Sequence, residues 1–407
     1  MRILIATPHR SVVGGVETHL QSLIPALVEA GHDIGVVCEQ NRFDGAEVVD
    51  SGADETPVWC CQDLETSAML REISDWSPDL VYSHCPESQH LEAALLSRYP
   101  CILHIHNYWG TCISSRKCHD FPRASACDRE LGPACLALYH TRRCGGLNPL
   151  TALRMFRTQA ARLRQLGGYR RIVVSSSHMY GEYERHRVSP EKLRLIHYPV
   201  TDAGLESEPF APKPPGDSLL FVGRLTNLKG ADYLIRAIPQ AAQHLGRTLG
   251  LTVIGDGPER SQLEQLAKRL NVQSRFLGWL NGDDKLNEMR ESSLLVVPSR
   301  WPEPFGLVGI EAGCLSVPAA GFALGGIPDW LVPGLTGELA LGDPPTVEGL
   351  TGAIVAALKD PEHYARLQRG AWESSRQFTM KRHLTQLEDT MNEALHRKVA
   401  VEVSVGI

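Results

Sequence analysis

Hydrophobic positions in the first part of the chain alternate between short unbroken runs and segments with helical spacing. Residues 2–6 form one apolar run, which predicts a buried strand. A glycine pair and the segment 16–31 follow, and the apolar residues of that segment recur at helical spacing up to a glycine suited to a helix end. Another short apolar run, 34–39, comes next. A strand, a glycine loop, a helix and a second strand in this order predict a parallel sheet.

The same alternation continues to the end of the chain with one interruption. Residues 198–217 hold five prolines and two glycines without any hydrophobic period, which predicts a linker. Before the linker, the pattern predicts strands at 80–82, 101–105, 171–175 and 193–196 and a helix at 88–97. After it, the pattern predicts strands at 219–222, 251–254, 274–277, 294–297 and 319–321 and helices at 231–245, 259–271 and 382–395. Two α/β halves joined by a linker leave a cleft, which is where a ligand usually binds.

The composition agrees with a soluble enzyme of two or three domains. Apolar residues make up 43% and charged residues 22% of the 407 positions, so global disorder is excluded. The formal net charge of −6 argues against nucleic acid as a partner. The first apolar run is too short for a signal-peptide core, and the chain contains no stretch of 18 apolar residues. We therefore expect no transmembrane helix and a cytoplasmic protein.

Two cations follow the end of a predicted strand in the second half. The strand at 219–222 ends at Gly223, and Arg224 and Lys229 follow five residues apart. Cations at the carboxyl edge of a strand suit an anionic ligand, although two solvated surface charges would give the same pattern. Further on, a buried strand runs into a tight turn at Gly255, and the helix that opens there could face a phosphate or a base. A glycine turn of this kind is weak support, because any strand–helix unit needs one.

The strongest chemical pattern lies in residues 298–313, where two glutamates flank the start of a predicted helix. Glu303 stands in the loop Pro-Glu-Pro-Phe-Gly before the helix, and Glu311 lies on the helix eight residues later. The free amides and the positive dipole end of a helix start favour a diphosphate. A carboxylate one to two turns into the helix can accept hydrogen bonds from ribose hydroxyls, and one just before it can engage a sugar. The alternative is that Glu303 only caps the helix and Glu311 only faces solvent. That interpretation accounts less well for the Pro-Glu-Pro-Phe-Gly sequence around Glu303.

Taken together, these motifs resemble those of the retaining glycosyltransferases of family 4. The second half carries VGRL…KG, IGDGPE, EPFGLVGIEA and GGIPDWL in that order, and the first half carries GGVETHL and AGHDIGVVC. The resemblance implies an α/β GT-B fold, in which two Rossmann-like domains face each other across a cleft and the C-terminal helix returns towards the N-terminal domain. We expect residues 1–198 to form an acceptor-binding domain, 217–380 a domain that binds the nucleotide sugar, and 381–407 the C-terminal helix and tail.

The resemblance also implies roles for individual residues. Arg224 and Lys229 would hold the donor diphosphate and stabilise charge on the leaving group, while Glu303 would hold the donor sugar. His106 matches the family's histidine that touches the donor sugar, although a purely structural histidine is an equally good interpretation. We expect the catalytic residues to be Glu303, His106, Arg224 and Lys229. The expected donor-binding residues are Gly14, Gly15, Gly223, Arg224, Lys229, Gly255, Leu277, Glu303, Phe305, Gly306, Leu307 and Glu311.

The implied reaction moves a sugar from a UDP- or GDP-sugar to a sugar or lipid-linked acceptor in polysaccharide or glycoconjugate biosynthesis. The pattern contains no obvious second carboxylate for double displacement, so we expect a front-face mechanism in which the departing phosphate takes the acceptor's proton. The resemblance implies that no metal ion or further cofactor is needed. At Asp329 the family usually has glutamate, and the shorter side chain puts its contact in doubt. The alternatives are a catalytically silent protein that binds sugar nucleotide, or another GT-B-type sugar-nucleotide enzyme.

Residues 107–148 depart from the α/β rhythm and are rich in cysteine. Five of the eleven cysteines fall within 33 residues, and they are Cys112, Cys118, Cys127, Cys135 and Cys144. The segment contains no close CxxC-type pair, so a structural zinc site, free thiols and disulfides all stay open. Because this insertion follows the strand that bears His106, we expect it to overhang the acceptor side of the cleft.

Basic residues are concentrated in the segment 142–171, which contains eight arginines and no acidic residue. Residues 150–166 show helical spacing, with apolar positions near one face and arginines on its flanks. One interpretation is an ordinary amphipathic helix packed on its domain. The other is peripheral contact with anionic lipid at the inner face of a membrane, which would suit a polyprenyl-diphosphate-linked acceptor.

Overall fold

The computed structural model describes residues 1–11, 14–40, 49, 56–123, 125–146, 148–200, 205–280 and 282–396. These residues form fifteen strands and thirteen α-helices. The strands are β1 (Arg2–His9), β2 (Asp33–Gln40), β3 (Val58–Cys60), β4 (Leu80–Ser83), β5 (Cys101–Ile105), β6 (Cys118–His119), β7 (Ser125–Ala126), β8 (Arg171–Val174), β9 (Leu193–Leu195), β10 (Ser218–Val222), β11 (Gly250–Ile254), β12 (Ser274–Gly278), β13 (Leu294–Val297), β14 (Ala319–Ala323) and β15 (Gly337–Leu341). The helices are α1 (Gly15–Glu29), α2 (Thr66–Trp76), α3 (Gln89–Leu96), α4 (Ala134–Thr141), α5 (Pro149–Gln165), α6 (Ser177–Arg185), α7 (Ala231–Leu245), α8 (Arg260–Arg269), α9 (Gly282–Glu291), α10 (Val308–Cys314), α11 (Val347–Lys359), α12 (Pro361–Ser375) and α13 (Met380–His396).

Two parallel sheets organise these elements. The first has seven strands in the order β3-β2-β1-β4-β5-β8-β9, and the second has six in the order β12-β11-β10-β13-β14-β15. In each sheet the strand order reverses beside its first strand, between β1 and β4 and between β10 and β13. Ligands of such sheets bind at the carboxyl ends of the strands, at the point of reversal. The expected pair of Rossmann-like domains is therefore confirmed. The strand order also indicates at which edge of each sheet a ligand would bind.

The central strands are apolar because helices cover both of their faces. In β1, Leu4 and Ala6 enter the core on one face, while Ile3 and Ile5 enter the core on the other. All four side chains are fully buried. The elements that the sequence analysis did not name include β3 and α2, because β3 has only three residues and α2 buries only three side chains.

The C-terminal helix α13 packs on the N-terminal domain. Leu387 and Met391 are buried in the same core as Ile3 and Ile5 of β1. At the far end of α13, Glu393 accepts a hydrogen bond from Arg171 Nε at 2.8 Å, across to β8. The predicted return of the last helix to the first domain is thus confirmed, and its apolar contacts tie the second domain back to the first.

The segment between the domains is anchored at both ends. Tyr198 and Val200 on one side and Leu205 on the other are buried in the core of the second domain. Residues 201–204, within the predicted linker, lie outside the described residues. The buried ends fix where the chain crosses from one domain to the other.

The cysteine-rich insertion forms a small lobe of its own with the antiparallel pair β6–β7 and the helices α4 and α5. Its small core contains Ile113, Tyr139 and Cys144. A buried ion pair joins the lobe to the main domain, since Lys117 Nζ lies 2.5 Å from Glu182 Oε1 on α6. Both side chains are almost inaccessible, so removal of one would leave an unpaired buried charge.

Candidate active site

Three loops meet at the carboxyl edge of the second sheet, and glycines allow them to approach closely. A side chain on Gly255, which follows β11, would stand 2.1 Å from the carbonyl oxygen of Gly223, which follows β10. A side chain on Gly230, in the left-handed region with φ +70°, would stand 2.0 Å from the carbonyl oxygen of Pro298. The loop after β10 is therefore held between the loops after β11 and β13. This arrangement places the two expected cations beside the loop that leads to α10.

Glu303 is buried at the centre of this edge, with 5% of its surface exposed. Its Oε1 accepts hydrogen bonds from Lys229 Nζ at 2.7 Å and from Ser299 Oγ at 2.5 Å. Two donors to one oxygen, one of them charged, offset the desolvation of the carboxylate. The other oxygen accepts no hydrogen bond from a described residue, so it can bind a hydroxyl group of a ligand.

The loop that leads into α10 is fixed by Trp330. The indole Nε1 donates to the carbonyl oxygen of Phe305 at 2.8 Å, and the ring lies so close to Gly309 that a side chain there would meet it at 2.1 Å. Gly306 has φ +96°, which a residue with a side chain would adopt only with strain. The backbone amides of Gly306 and Leu307 donate to no described residue. They are donors that an anionic ligand could use.

Glu311 and Leu277 lie further along the same half of the site. Glu311 stands on α10 and is 7% exposed, and Lys285 Nζ of α9 approaches its Oε1 to 3.4 Å. Leu277, near the end of β12, is half-buried against the core that contains Phe305. The two glutamates of the motif are thus each paired with a lysine from another loop or helix.

Arg224 differs from Lys229 in its surroundings. Its side chain is exposed, and it forms no hydrogen bond or ion pair with any residue that the structure describes. Lys229, in contrast, is held by Glu303 and also lies 5.7 Å from the ring centroid of Trp301. The two expected cations therefore share one edge, but only the guanidinium is free of a protein partner there.

On the first sheet, His106 follows β5 and has both ring nitrogens engaged by other side chains. Nδ1 is bonded to the hydroxyl of Tyr198, and Nε2 lies 2.8 Å from Nδ1 of His84, which follows β4. Burial lowers the pKa of His106 to about 3, so the ring is neutral near pH 7. A hydrogen bond from this ring to a sugar would require one of the two existing contacts to break. Sequence reasoning did not find His84 or Tyr198, because neither belongs to a motif.

Tyr108 joins the two domains across the cleft. Its hydroxyl donates to the carbonyl oxygen of Pro302 at 2.8 Å and lies 2.8 Å from Nε2 of His178 on α6. Because the hydroxyl has one proton, Nε2 of His178 is the donor in the second contact. Burial, with the nearby Arg185 adding to it, lowers the pKa of His178 to about 4, so this ring is neutral too. The sequence showed Tyr108 only as part of an aromatic pair, and it gave no sign of His178.

Asp329 forms a second bridge between the domains. Its Oδ2 accepts a hydrogen bond from the amide of Ser177 at 2.7 Å and lies 3.0 Å from Nε2 of His197. Burial by itself would raise the pKa of Asp329, but the bonds from His197 and Ser177 outweigh it and lower the pKa. The shorter side chain, which put a contact in doubt, thus reaches the opposite domain.

Gly14 and Gly15 lie where α1 begins, at the carboxyl end of β1. The backbone of Gly14 is extended, and its carbonyl oxygen accepts the amide of Thr18 at 3.1 Å. Gly15 is exposed, and a side chain on it would meet nothing within 4 Å. The pair therefore stands at the reversal point of the first sheet, as the loops around Glu303 stand at that of the second. Residues 12 and 13, just before it, lie outside the described part of the chain.

The cysteines of the insertion are free thiols in this structure, as are the other six. His119 Nδ1 lies 3.2 Å from Cys144 Sγ. Within the described residues, no three cysteine, histidine or acidic side chains of the insertion come together at the spacing of metal ligands. The pKa of Cys144 is raised to about 12, chiefly by burial, so this thiol is protonated near pH 7.

The basic segment is only partly a solvent-facing surface. The guanidinium of Arg162 lies 5.4 Å from the ring centroid of Trp109, and Arg171 is paired with Glu393. Leu150, at the start of α5, is 76% exposed. The exposed arginines of the segment are Arg142, Arg143, Arg154, Arg157 and Arg164. None of the described helices is both long and apolar enough to cross a membrane.

The arrangement of two facing α/β domains is shared with solved glycosyltransferases of the GT-B fold. The crystal structure of HepE from Anabaena, in complex with UDP and glucose, superposes with a TM-score of 0.66 over 96% of this chain and 99% of that one. The two sequences are 18% identical, so this likeness establishes the fold. The predicted GT-B fold is confirmed.

Sequence profiles match both halves of the chain. Residues 13–203 match "Glycosyltransferase Family 4", and residues 206–373 match "Glycosyl transferases group 1". The chain therefore belongs to the glycosyltransferases that combine these two domains, and the resemblance inferred from the motifs is confirmed.

Two curated relatives illustrate the range of the family. The glycogen synthase of Mycobacterium tuberculosis is 25% identical over 379 residues, 88% of this chain and 86% of that protein. A D-inositol 3-phosphate glycosyltransferase of Saccharomonospora viridis is 35% identical over 208 residues, and this match covers 47% of each chain. The more similar of the two matches thus spans about half of the relative.

Proposed function

We propose that this glycosyltransferase moves a sugar from a nucleotide diphosphate sugar to a sugar or lipid-linked acceptor with retention of configuration. The observation that carries the proposal is the edge of the second sheet around Glu303. There a buried carboxylate with one free oxygen, an exposed guanidinium and unbonded backbone amides lie within three adjoining loops. UDP or GDP is the proposed nucleotide, and the UDP complex of HepE favours the first.

Each part of a sugar nucleotide has a matching group at this edge. Arg224 and Lys229 would bind the diphosphate together with the amides of Gly306 and Leu307. The free oxygen of Glu303 would accept a hydroxyl of the donor sugar. The residues proposed for the nucleotide and for the facing loop are Gly14, Gly15, Gly223, Gly255, Leu277, Phe305 and Glu311.

Because Glu311 is paired with Lys285, a ribose would have to share or displace that lysine. The same holds at Glu303, where a phosphate would draw Lys229 towards itself. Donor binding would therefore exchange the ion pair of Lys229 for one with the phosphate, while uncharged ribose hydroxyls would donate hydrogen bonds to Glu311.

The proposed chemistry is a front-face transfer. The bond from the anomeric carbon to the diphosphate oxygen breaks, the acceptor hydroxyl attacks from the same face, and its proton passes to the departing phosphate. The two cations stabilise the charge that develops on that phosphate. In the proposed site Glu303 faces the donor sugar and Glu311 faces the ribose, so the proposal assigns no second carboxylate to a double displacement. No metal ion takes part in the proposed transfer.

The acceptor side of the proposal rests on the first domain. The acceptor would enter opposite the donor edge, beside His106 and Tyr108, and the insertion would shape that side of the cleft. Exposed arginines on α5 and the exposed Leu150 would allow peripheral contact with an anionic membrane surface, where a lipid-linked acceptor is found. Such an enzyme would act in the cytoplasm, at the inner face of the membrane.

Donor binding tests the proposal directly. Thermal shift of the full chain against UDP-, GDP-, ADP- and TDP-sugars, without added metal, should show selective stabilisation by one base. The shift should disappear in Arg224→Ala and Glu311→Ala and persist in Glu348→Gln, which changes an exposed carboxylate on α11. If the folded protein responds to none of the donors, the transferase proposal fails. If it binds a donor but transfers no sugar to any acceptor tested, the silent-partner alternative replaces the proposal.

A further inference from the structure

Five histidines from four elements are buried together beneath the cleft wall of the first domain. His84 and His106 follow β4 and β5, His104 lies in β5, His19 lies in α1 and His383 lies in α13. Apart from the half-buried His106, each is at most 2% exposed. Histidine is seldom buried in such numbers, so the cluster requires a physical explanation.

The ring nitrogens of three of these histidines converge. One nitrogen each from His84, His104 and His106 can be chosen so that all lie within 4.8 Å of one another. The ring centroids of the three pairs are 4.5, 5.0 and 5.6 Å apart. Imidazoles on one tetrahedral ion with metal–nitrogen bonds of about 2.0–2.1 Å have centroids roughly 5 Å apart. The observed separations fit rings that share an ion, although a hydrogen bond between the rings of His84 and His106 accounts equally for their 5.0 Å.

Hydrogen bonds within the protein engage only some of the ring nitrogens, among them Nδ1 of His84 and Nε2 of His106, which contact each other. Nε2 of His84, Nε2 of His104, Nε2 of His383 and both nitrogens of His19 are buried and accept or donate no hydrogen bond among the described residues. A neutral imidazole carries one donor and one acceptor, and each one left unbonded in a buried site costs about 1–3 kcal/mol. Two of these five atoms, Nε2 of His84 and Nε2 of His104, belong to the rings whose nitrogens converge, and a ligand that takes lone pairs would satisfy them.

Nδ1 of His84 and Nε2 of His106 lie 2.8 Å apart, and bonds to an ion would replace this contact. Two other nitrogens are held as they are in metal sites. Nδ1 of His104 lies 2.7 Å from the hydroxyl of Tyr82, and Nδ1 of His106 is bonded to the hydroxyl of Tyr198. A partner on the far nitrogen fixes the tautomer and the ring orientation of a metal-binding histidine.

We propose that His84, His104 and His106 form a site for a transition-metal ion of the Zn²⁺ class. A set of imidazoles suits zinc, copper, nickel or cobalt rather than magnesium or calcium, which prefer oxygen. The ion takes no part in sugar transfer. It joins the ends of β4 and β5 and holds His106 at the cleft wall, with His19 and His383 beside it from α1 and α13.

Metal content and spectroscopy of the full chain test the site. After dialysis against a chelator, the protein should take up one equivalent of Zn²⁺ in a calorimetric titration. His104→Gln should lose that equivalent, whereas His244→Gln, a change at an exposed histidine of α7, should keep it. A stripped wild-type protein that takes up no Zn²⁺ or Co²⁺ overturns the proposal, and so does equal uptake by the two variants.

Cobalt separates this site from the cysteines of the insertion without any variant. Co²⁺ on imidazoles alone gives ligand-field bands in the visible range and no thiolate-to-metal charge transfer. That spectrum is expected for the wild-type chain, and it settles the matter even if His104→Gln fails to fold. A strong thiolate charge-transfer band would show that cysteine binds the ion, and this result would overturn a site made of imidazoles.

Discussion

The two walls of the cleft differ in the charge of their side chains. On the wall of the second domain, the buried carboxylates Glu303 and Glu311 each have a lysine beside them, and Arg224 stands free in front. On the wall of the first domain, uncharged side chains form two separate hydrogen-bonded sets. In one set His106 joins His84 to Tyr198, and in the other Tyr108 contacts His178. The charged wall can exchange its internal ion pairs for those of an anionic ligand. The neutral wall offers shape and fixed hydrogen bonds, which suits an uncharged sugar.

The largest expected effect is that of Glu303→Gln on the charged wall. The amide can still accept from Ser299 but loses the charge that orients Lys229, so both the sugar and the leaving phosphate are misplaced. We expect kcat/KM for transfer to fall about 10²–10³-fold, the range for loss of one preorganised charged contact. Release of the nucleotide diphosphate measures the rate. Glu348→Gln is the matched control, and equal rates in the two variants would refute the role of Glu303.

The next prediction distinguishes Arg224 from Lys229, because of the two only Lys229 forms an ion pair with a described residue. Arg224→Met and Lys229→Met should each weaken donor binding about 10–100-fold, because a charge-assisted hydrogen bond contributes about 1.5–3 kcal/mol. Only Lys229→Met should also lower the free energy of unfolding without donor, by about 1–3 kcal/mol, because it leaves the carboxylate of Glu303 buried and unpaired. Urea unfolding with and without donor measures both effects. If both variants unfold like the wild type, the ion pair seen here does not exist in solution.

A third prediction tests whether a buried carboxyl group of the first domain, that of Glu92, is uncharged in the folded protein. Glu92 on α3 is 2% exposed and has the hydroxyl of Tyr169 as donor at 2.5 Å, with no salt bridge. Burial raises the pKa of Glu92 from 4.5 to about 7. A raised carboxyl pKa means that the folded state binds a proton that the unfolded state releases. Stability is therefore lost as pH rises from about 4.5 through 7.

Glu92→Gln keeps an acceptor for Tyr169 and removes the ionisation. It should stabilise the protein at pH 8 by about 1–3 kcal/mol relative to the wild type, with little difference at pH 4.5. Urea unfolding at the two pH values measures this, and Glu184→Gln, at an exposed glutamate of α6, is the control. A variant that is equally or less stable at pH 8 would show that Glu92 is ionised in the fold without cost.

The charged wall could be predicted from the sequence because its chemistry lies in local order. Glu303 and Glu311 stand in one segment, and the glycines that bring the cations to it follow strands in a recognisable rhythm. The neutral wall could not be predicted in this way. His106 and Tyr198 are 92 residues apart, and His84 and His106 meet only because β4 and β5 are neighbours in the sheet. Hydrogen bonds between strand ends leave no periodic pattern in the chain.

The smallest expected effect is at Asp329, which connects the two walls. Its carboxylate holds Ser177 and His197 of the first domain, although the sequence marked it only as a departure from the usual glutamate. Asp329→Asn keeps the side chain's volume and one acceptor but loses the charge that His197 faces. Because the pair is partly exposed, the loss of binding free energy should be about 0.5–1 kcal/mol. It should be seen as a KM for the donor that is raised a few-fold, with kcat nearly unchanged.

Asp329→Glu, which restores the charge on a longer side chain, should recover part of the affinity. If Asp329→Asn instead lowers kcat and leaves KM alone, the residue acts on the chemical step and not on the closure of one domain against the other.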